Sequence, residues 1–504
     1  MNRALKGLFA VIIMIAACSL AYGSVFDFSQ LQKSIVEKTL PNGLKIIVLP
    51  RHEVPVVSMV TWADVGGSDD PKGYTGMAHM FEHMAFKGTD EIGTTDPAKE
   101  VLLMAKEDAI FEQLRLERLK GDKGDKRKLE RLEKDFEKAI ADAYALVVPN
   151  AFSNKLENEG AEGLNAFTSK DQTAYMVSLP SNKFELWMAL ESERFLRPRL
   201  REMYREREVV AEERRMTVEN RPMSRLLEEF LSTAFKAHPY GIPLIGHSSD
   251  IQNYSRSAAK DFFDKYYGPN NLTLAIVGDV KPEKVFELAE KYWARIPSKY
   301  KPERVATVEP PQICERTVIM PDKAQPIILM GWHIPDETHK DMPALSALSS
   351  ILGSGRTSRL YRRMVRDDKA AVSVSAFSGW PGSKYPCLSV VFCYPAQGKS
   401  ASECDKIILE EIEKIKNASV TPEELERVKT GTMTGLIAGL KNNMGLAQNL
   451  AKYNQIWGDW RALFGELDRI NAVTCDDIQR VAKKYFVKTG RTLAVLETAQ
   501  ESEK

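Results

Sequence analysis

The feature that most limits how this chain can fold is an internal repeat. Lys265-Tyr266-Tyr267, followed by Thr273-Leu274-Ala275-Ile276, matches Lys484-Tyr485-Phe486, followed by Thr492-Leu493-Ala494-Val495, at an offset of 219 residues. Ile251 and Ser255 match Ile470 and Thr474 at the same offset. Ser255 and Thr474 stand where a helix N-cap belongs, because a hydroxyl there accepts a hydrogen bond from an otherwise unpaired backbone N–H. Each half should therefore close with a capped helix and then an apolar strand. The halves also open alike. Val54-Pro55-Val56-Val57 begins a strand in the first and Gln325-Pro326-Ile327-Ile328 in the second, at an offset of 271. The expectation is an α+β protein of two homologous halves, each a mostly antiparallel sheet with helices packed on one face.

The two offsets differ by 52, so the first half carries a surplus of that size. The surplus lies over 96–149, a stretch dense in Lys, Glu, Arg and Asp. Within it Leu129, Leu132, Phe136, Ala139, Ala143 and Leu146 recur by threes and fours, the spacing of a coiled-coil seam. Gly121-Asp122-Lys123-Gly124 supplies a turn after an earlier helix holding Ile110 and Leu114. The segment reads as an inserted helical hairpin: a solvated spacer or lid, or an arm that docks a partner. Ile296 to Pro302 and then Pro310-Pro311 read as a linker between the halves.

The chain opens on Asn2, Arg3 and Lys6, then an uncharged apolar run from Leu8 to Ala17, the pattern of a secretory signal peptide. Two cleavage readings stand. Ala21-Tyr22-Gly23 would release a soluble protein, and Ile15-Ala16-Ala17-Cys18 would leave Cys18 lipidated at the new N-terminus. The expected location is the periplasm, with a membrane attachment only through a lipid on Cys18. With 70 Lys+Arg against 69 Asp+Glu, net charge +1, no global field favours nucleic acid. Of six cysteines none forms a C-x-x-C pair, so a cysteine zinc site is not expected. Small buried apolar positions suit most of them, although an oxidising compartment would permit a disulfide.

His79-Met80-Phe81-Glu82-His83 is an H-x-x-E-H pattern in a Pro-free, helix-compatible stretch. On a helix, positions 79 and 83 are one turn apart on one face, so both imidazoles can reach one ion. Glu82 borders that face and can take a proton from a water acidified by zinc. The chain holds only 7 histidines, which makes a chance pairing less expected. A third ligand is best sought on the acid-rich helix 201–220, which carries Glu202, Glu206, Glu208, Glu212, Glu213 and Glu219. Glu206 and Glu213 are seven apart and share a face, yet most carboxylates on such a helix are simply solvated.

These residues carry a family resemblance. Gly66-Gly67-Ser68-Asp69-Asp70, the run Gly73 to Met84, and Phe86-Lys87-Gly88-Thr89 resemble the active-site segment of the pitrilysin/insulinase (M16) metallopeptidases. Gly163 to Ser169 resembles that family's substrate-binding edge strand, Glu206 to Glu213 its third-ligand helix, and His238-Pro239-Tyr240 with Ile245-Gly246 also fits. The resemblance spans about Glu37 to Leu496.

It implies one zinc ion per chain on His79, His83 and Glu213, with Glu82 as general base and Glu206 as an accessory carboxylate. Asn165, Ala166 and Phe167 would bind the backbone of a peptide or unfolded polypeptide by strand addition. The two halves would form a clamshell around a peptide-sized chamber, and a homodimer or a heterodimer with a related subunit is consistent with the family. Proteolytic members supply an Arg and a Tyr from another half for the substrate and the developing oxyanion. Arg366 is available here, but Ala371-Val372-Ser373 stands where the Tyr is expected. Arg366, a shifted residue such as Tyr361, or a partner chain would have to serve. The alternative function is a non-catalytic or partner-dependent subunit acting in binding or assembly, and a dedicated maturation protease is a third.

Shifting by 271 sets Ser350, Gly353 and Ser354 opposite His79, Glu82 and His83, so the second half should bind no metal. The expected divisions are a leader over 1–23, a zinc-binding domain over 30–297 with its insertion at 96–149, a linker over 298–313 and a homologous domain over 314–504.

Overall fold

The computed structural model describes residues 28–499. The leader, both its cleavage readings and Cys18 lie outside that range. Among the described residues no helix is long and apolar enough to cross a membrane.

Among the described residues eleven strands form two sheets. The first contains β1 (Val36–Thr39), β2 (Lys45–Pro50), β3 (Val56–Ala63), β4 (Glu162–Thr168), β5 (Thr173–Pro180) and β6 (Leu272–Gly278), in the order β1-β2-β6-β3-β5-β4. The second contains β7 (Arg316–Asp322), β8 (Ile327–Ile334), β9 (Ala371–Trp380), β10 (Cys387–Pro395) and β11 (Arg491–Thr498), in the order β7-β11-β8-β10-β9. Apart from β1 the two orders are the same, and in each sheet one pair is parallel: β2 with β6, and β7 with β11. All other pairs are antiparallel.

The duplication is thus structural, with one refinement of register. Thr273 faces Trp62 in the first sheet, whereas its repeat partner Thr492 faces Gly331, which lies 269 residues after Trp62 rather than 271. A slip of two leaves every side chain on its face, so the hydrophobic pattern cannot reveal it.

The helices used below are numbered in chain order. They are α1 (Met77–Met84), α2 (Pro97–Arg118), α3 (Lys126–Tyr144), α4 (Met203–Arg214), α5 (Pro222–Ala234), α6 (Arg256–Tyr266), α7 (Met342–Gly353), α8 (Asn443–Trp457) and α9 (Cys475–Tyr485). Ser255 caps α6 by accepting from the Ala258 N–H at 3.1 Å, and Thr474 caps α9 by accepting from Asp477 at 3.1 Å. These are the capped helices that precede β6 and β11.

The expectation of helices on one face needs correcting, because two helices are exchanged between the halves. On β2 and β3, Ile46, Val48, Val57 and Met59 enter one core, while Ile47, Leu49, Val60 and Trp62 enter another on the opposite face. That second core is completed by Leu446, Ala447, Leu450 and Ala451 of α8, which belongs to the second half of the chain. Reciprocally, α5 of the first half buries Leu226, Phe230, Leu231 and Ala234 in the core of the second sheet. Each fully buried Leu or Phe contributes about 1.5–3 kcal/mol, so pulling the halves apart would expose two apolar helix faces and the sheet faces beneath them.

The insertion is the hairpin α2–α3. Phe111, Leu114, Leu132 and Phe136 close it together with Tyr204 of α4. Charged clasps fasten it to the body: Arg256 to Glu107 and Asp108, both at 2.5 Å, and Arg201 to Glu100 at 2.8 Å. Cys387, Cys393 and Cys404 are buried in the second core, Cys475 is partly buried and Cys314 is exposed.

Candidate metal centre

Helix α1 presents the H-x-x-E-H residues because its other face is fixed. Met77, Ala78, Met80, Phe81 and Met84 are buried, and Phe81 stacks on Phe263 with ring centres 5.2 Å apart. Its first turn is held by the Asp70 carboxylate, which accepts from the Gly76 and Ala78 N–H groups at 2.7 and 2.8 Å. Burial pushes the Asp70 carboxyl up to about 7, against those two hydrogen bonds. Gly76 begins the helix at φ 87°, and a Cβ there would lie 2.3 Å from the Ile245 carbonyl oxygen. No other residue fits such a position.

Helix α4 brings Glu206 and Glu213 to the same place. The His79 Nε2 and His83 Nε2 atoms lie 3.6 and 3.5 Å from the two Glu213 carboxylate oxygens. His79, His83 and Glu213 offer one donor each, all within 4.8 Å of one another. An ion held tetrahedrally at ~2.0–2.1 Å keeps its ligand atoms roughly 3.3 Å apart, so the spacing is close to what zinc needs. It is the one such group among the described residues.

The surroundings orient these donors. His83 Nδ1 pairs with Glu206 Oε2 at 3.2 Å, which leaves Nε2 facing Glu213. The Lys87 ammonium lies 2.5 Å from Glu206 Oε1. Such a carboxylate behind a ligating histidine fixes its ring and tautomer. Burial alone would lower the His83 imidazole, but its bonds to Glu206 and Glu213 outweigh that and lift it to about 9. Burial holds His79 down at about 4, against the pull of Glu213. Its hydrogen bond with His83 keeps Glu213 below the usual carboxylate range.

Glu82 stands beside the donors and outside their set. Its Oε2 accepts from the Thr168 hydroxyl at 2.6 Å, and burial raises its pKa despite that bond. Thr168 ends β4, the outer strand of the first sheet, which also carries Asn165, Ala166 and Phe167. Asn165 is exposed, Ala166 is buried and Phe167 lies edge-on to Trp62. β4 pairs only with β5, so its other edge is open to an added strand.

The structure does not bring Arg366 to this centre. Its guanidinium is bonded to the neighbouring Asp367 at 2.7 and 2.9 Å, and the side chain is largely exposed. Tyr361 packs against the second core instead. At the C-terminal end of α7, a Cβ on Gly353 would lie 2.2 Å from the Ala376 N of β9. The second half thus repeats the contact of helix with edge strand but has no room for a carboxylate at Gly353. Sequence reasoning missed Thr168, Asp70 and Lys87 as supporting groups. All three sat inside the family-like segments, but nothing in their spacing marked them.

Two family models match the chain. Residues 46–104 and 147–248 match "Insulinase (Peptidase family M16)", and residues 253–432 match "Peptidase M16 inactive domain". The chain belongs to peptidase family M16. Among its relatives is "Zinc protease PqqE" of Helicobacter pylori, 29% identical over 91% of each chain. An "Uncharacterized zinc protease" of Mycobacterium leprae is 25% identical over 90% of each. The crystal structure of a protease from Helicobacter pylori superposes with a TM-score of 0.76 at 26% identity, covering 92% of this chain and 99% of that one. An M16 inactive-domain structure from Pseudomonas fluorescens shares the fold, with a TM-score of 0.73 at 15% identity over 93% and 99%. The family model skips 105–146, most of the α2–α3 hairpin, so that element is an addition to the family fold.

Proposed function

We propose that this chain is an exported, zinc-dependent endopeptidase that cleaves peptides or unfolded polypeptides. The observation that carries the reading is the convergence of His79, His83 and Glu213 beside a carboxylate, Glu82, held by Thr168. Zinc, when bound, supplies Lewis acidity to water and to the scissile carbonyl. The chain's own groups do the rest. The open edge of β4 takes the substrate backbone as an added strand, with Asn165, Ala166 and Phe167 beneath it. Glu82 keeps Oε2 on Thr168 and receives the proton of the attacking water on Oε1, then returns it to the leaving amine. Glu206 holds His83 by Nδ1, and Lys87 neutralises Glu206. Export rests on the leader pattern, and the substrate class on the open strand edge.

One observation favours a second reading, a subunit that needs a partner. Arg366 is engaged by Asp367, and Ala371-Val372-Ser373 stands where the tyrosine is expected. A homodimer or a related subunit would then complete the centre.

Metal content and cleavage of a quenched fluorescent peptide, compared between the wild type and Glu82→Gln, separate these readings. The endopeptidase reading expects about one zinc in both proteins and a loss of 10²–10⁴-fold in rate for Glu82→Gln. Zinc in both with no cleavage by the wild type alone supports the partner-dependent reading. A wild type that binds no zinc overturns both.

A further inference from the structure

The two helices of the inserted hairpin differ on their outer faces. On α3 every exposed residue between Arg127 and Lys138 is charged, as expected for a solvated helix. Helix α2 already spends one face inward, burying Met104, Phe111 and Leu114. Its opposite face is also apolar. Ala98, Leu102, Ala105, Ala109, Leu116 and Leu119 are all exposed, with Leu102 at 71%, Leu116 at 51% and Leu119 at 63%. Together with Glu112 they alternate by four and three over three heptads, which is the a/d seam of a coiled coil. Scattered exposed leucines need no explanation, but a heptad row on one face of an added element does. The stripe is also narrow, two positions in seven, which suits a helix rather than a lipid surface.

We propose that the outer face of α2 docks an amphipathic helix of another protein, one with Leu or Ala along its seam and acidic residues on its flank. The charge beside the stripe selects that partner. Lys99, Lys106 and Lys120 share one heptad position along one side and are exposed. Lys106 pairs with Asp142 at 3.7 Å and Lys120 shares the buried Glu117 with Lys128, so Lys99 and the surplus lysine at Glu117 leave that side net positive. On the other side Asp108 is committed inward to Arg256 and Tyr204, and Arg115 to Glu112. The flank therefore presents positive charge. A second copy of this chain is the poorer occupant. Antiparallel pairing sets the lysine row against itself, and parallel pairing matches Asp108 with Gln113 and Arg115 with Lys120, giving no attractive pair. The family fold does not need the segment, since the family model passes over it.

The test uses the full chain and a labelled synthetic helix about four heptads long, Leu/Ala at its seam and Glu on its flanks, read by fluorescence anisotropy. The expected result is saturable binding that weakens about 100-fold in Leu102→Glu/Leu116→Glu, roughly tenfold per buried leucine. A Lys-flanked version of the helix should bind more weakly than the Glu-flanked one. Lys99→Glu/Lys106→Glu should reverse that preference while leaving the seam intact, and it serves if the leucine variant fails to fold. Peptide cleavage should be unchanged in both variants. No binding, or binding indifferent to the leucines or to the sign of the flank, overturns the proposal. So does a self-association seen by sedimentation that Leu102→Glu/Leu116→Glu abolishes, since the seam would then belong to a second copy.

Discussion

Replacing Thr168 with valine removes the hydroxyl that holds Glu82 and little else. The two side chains are nearly the same shape, and valine suits a strand. The lost bond is short, 2.6 Å from Thr168 Oγ1 to Glu82 Oε2, and its acceptor is a carboxylate in a half-buried site. A hydrogen bond to a charged group is worth about 1.5–3 kcal/mol, which is about a 10- to 150-fold fall in kcat/KM. The loss should fall on kcat, because the bond orients the base for proton transfer and touches no part of the bound substrate. Steady-state cleavage of a quenched fluorescent peptide, with zinc content measured on the same preparation, reads the effect. Thr168→Ser should restore most of the rate. In the Glu82→Gln background, Thr168→Val should add little, since the two residues act as a unit. A fall of less than threefold in Thr168→Val with full zinc would refute the reasoning, as would a serine variant no better than valine.

Two further outcomes follow from the hydrogen bonds. Glu206→Gln removes the charged partner of His83 and leaves Lys87 only the longer contact with Glu202 at 3.8 Å, so zinc affinity by chelator competition should drop about 10- to 100-fold. Asp341, fully buried, accepts from Arg480, Lys484 and Tyr485 at 2.8, 3.0 and 2.7 Å; burial alone would raise its carboxyl, but these bonds hold it below the usual range. A depressed carboxylate gives stability that is present above its unfolded value, near pH 4, and is lost as pH falls through and below that. Asp341→Asn should therefore cost about 3 kcal/mol in urea unfolding at pH 7, and the gap from wild type should narrow at pH 3.

What could be read from the sequence was what periodicity or short spacing encodes. His79 and His83 share a face at any helical phase, and Glu206 and Glu213 do so on α4, but it was the family resemblance that singled out Glu213 as the third donor. The hairpin was legible because Leu132, Phe136 and Ala139 keep a 3.5-residue beat. The seam on the far side of α2 was not singled out, because its alanines are weak signals and a second apolar face dilutes the first. Thr168 and Glu82 are 86 apart in sequence, and only the packing of α1 against the edge strand joins them. The exchange of α5 and α8 was invisible for a similar reason. Leu226 and Phe230 announce an apolar helix face, but nothing local says which sheet it covers. The register slip between β3 and β8 preserves the face, so it leaves the pattern unchanged.

The exchange of helices also explains how a half without metal donors serves the half that has them. Gln455, on the α8 that crosses to the first sheet, donates to Asp64 and to the Asp171 carbonyl, both at 2.7 Å. The Asp171 carboxylate in turn accepts from the Ser383 and Lys384 N–H groups of the second half and from the Tyr240 hydroxyl. Asp171 lies in the turn between β4 and β5, three residues beyond Thr168. The strand that holds Glu82 is therefore pinned at its C-terminal end by the opposite half. At its other end β4 is bulged between Glu162 and Asn165, with Gly163 at φ 63°. In the proposed function the open edge that admits substrate thus has a bulge at one end and a hydrogen-bonded anchor at the end beside Glu82. The second half, in which no metal-capable group is found among the described residues, thus contributes a brace for the strand that holds Glu82.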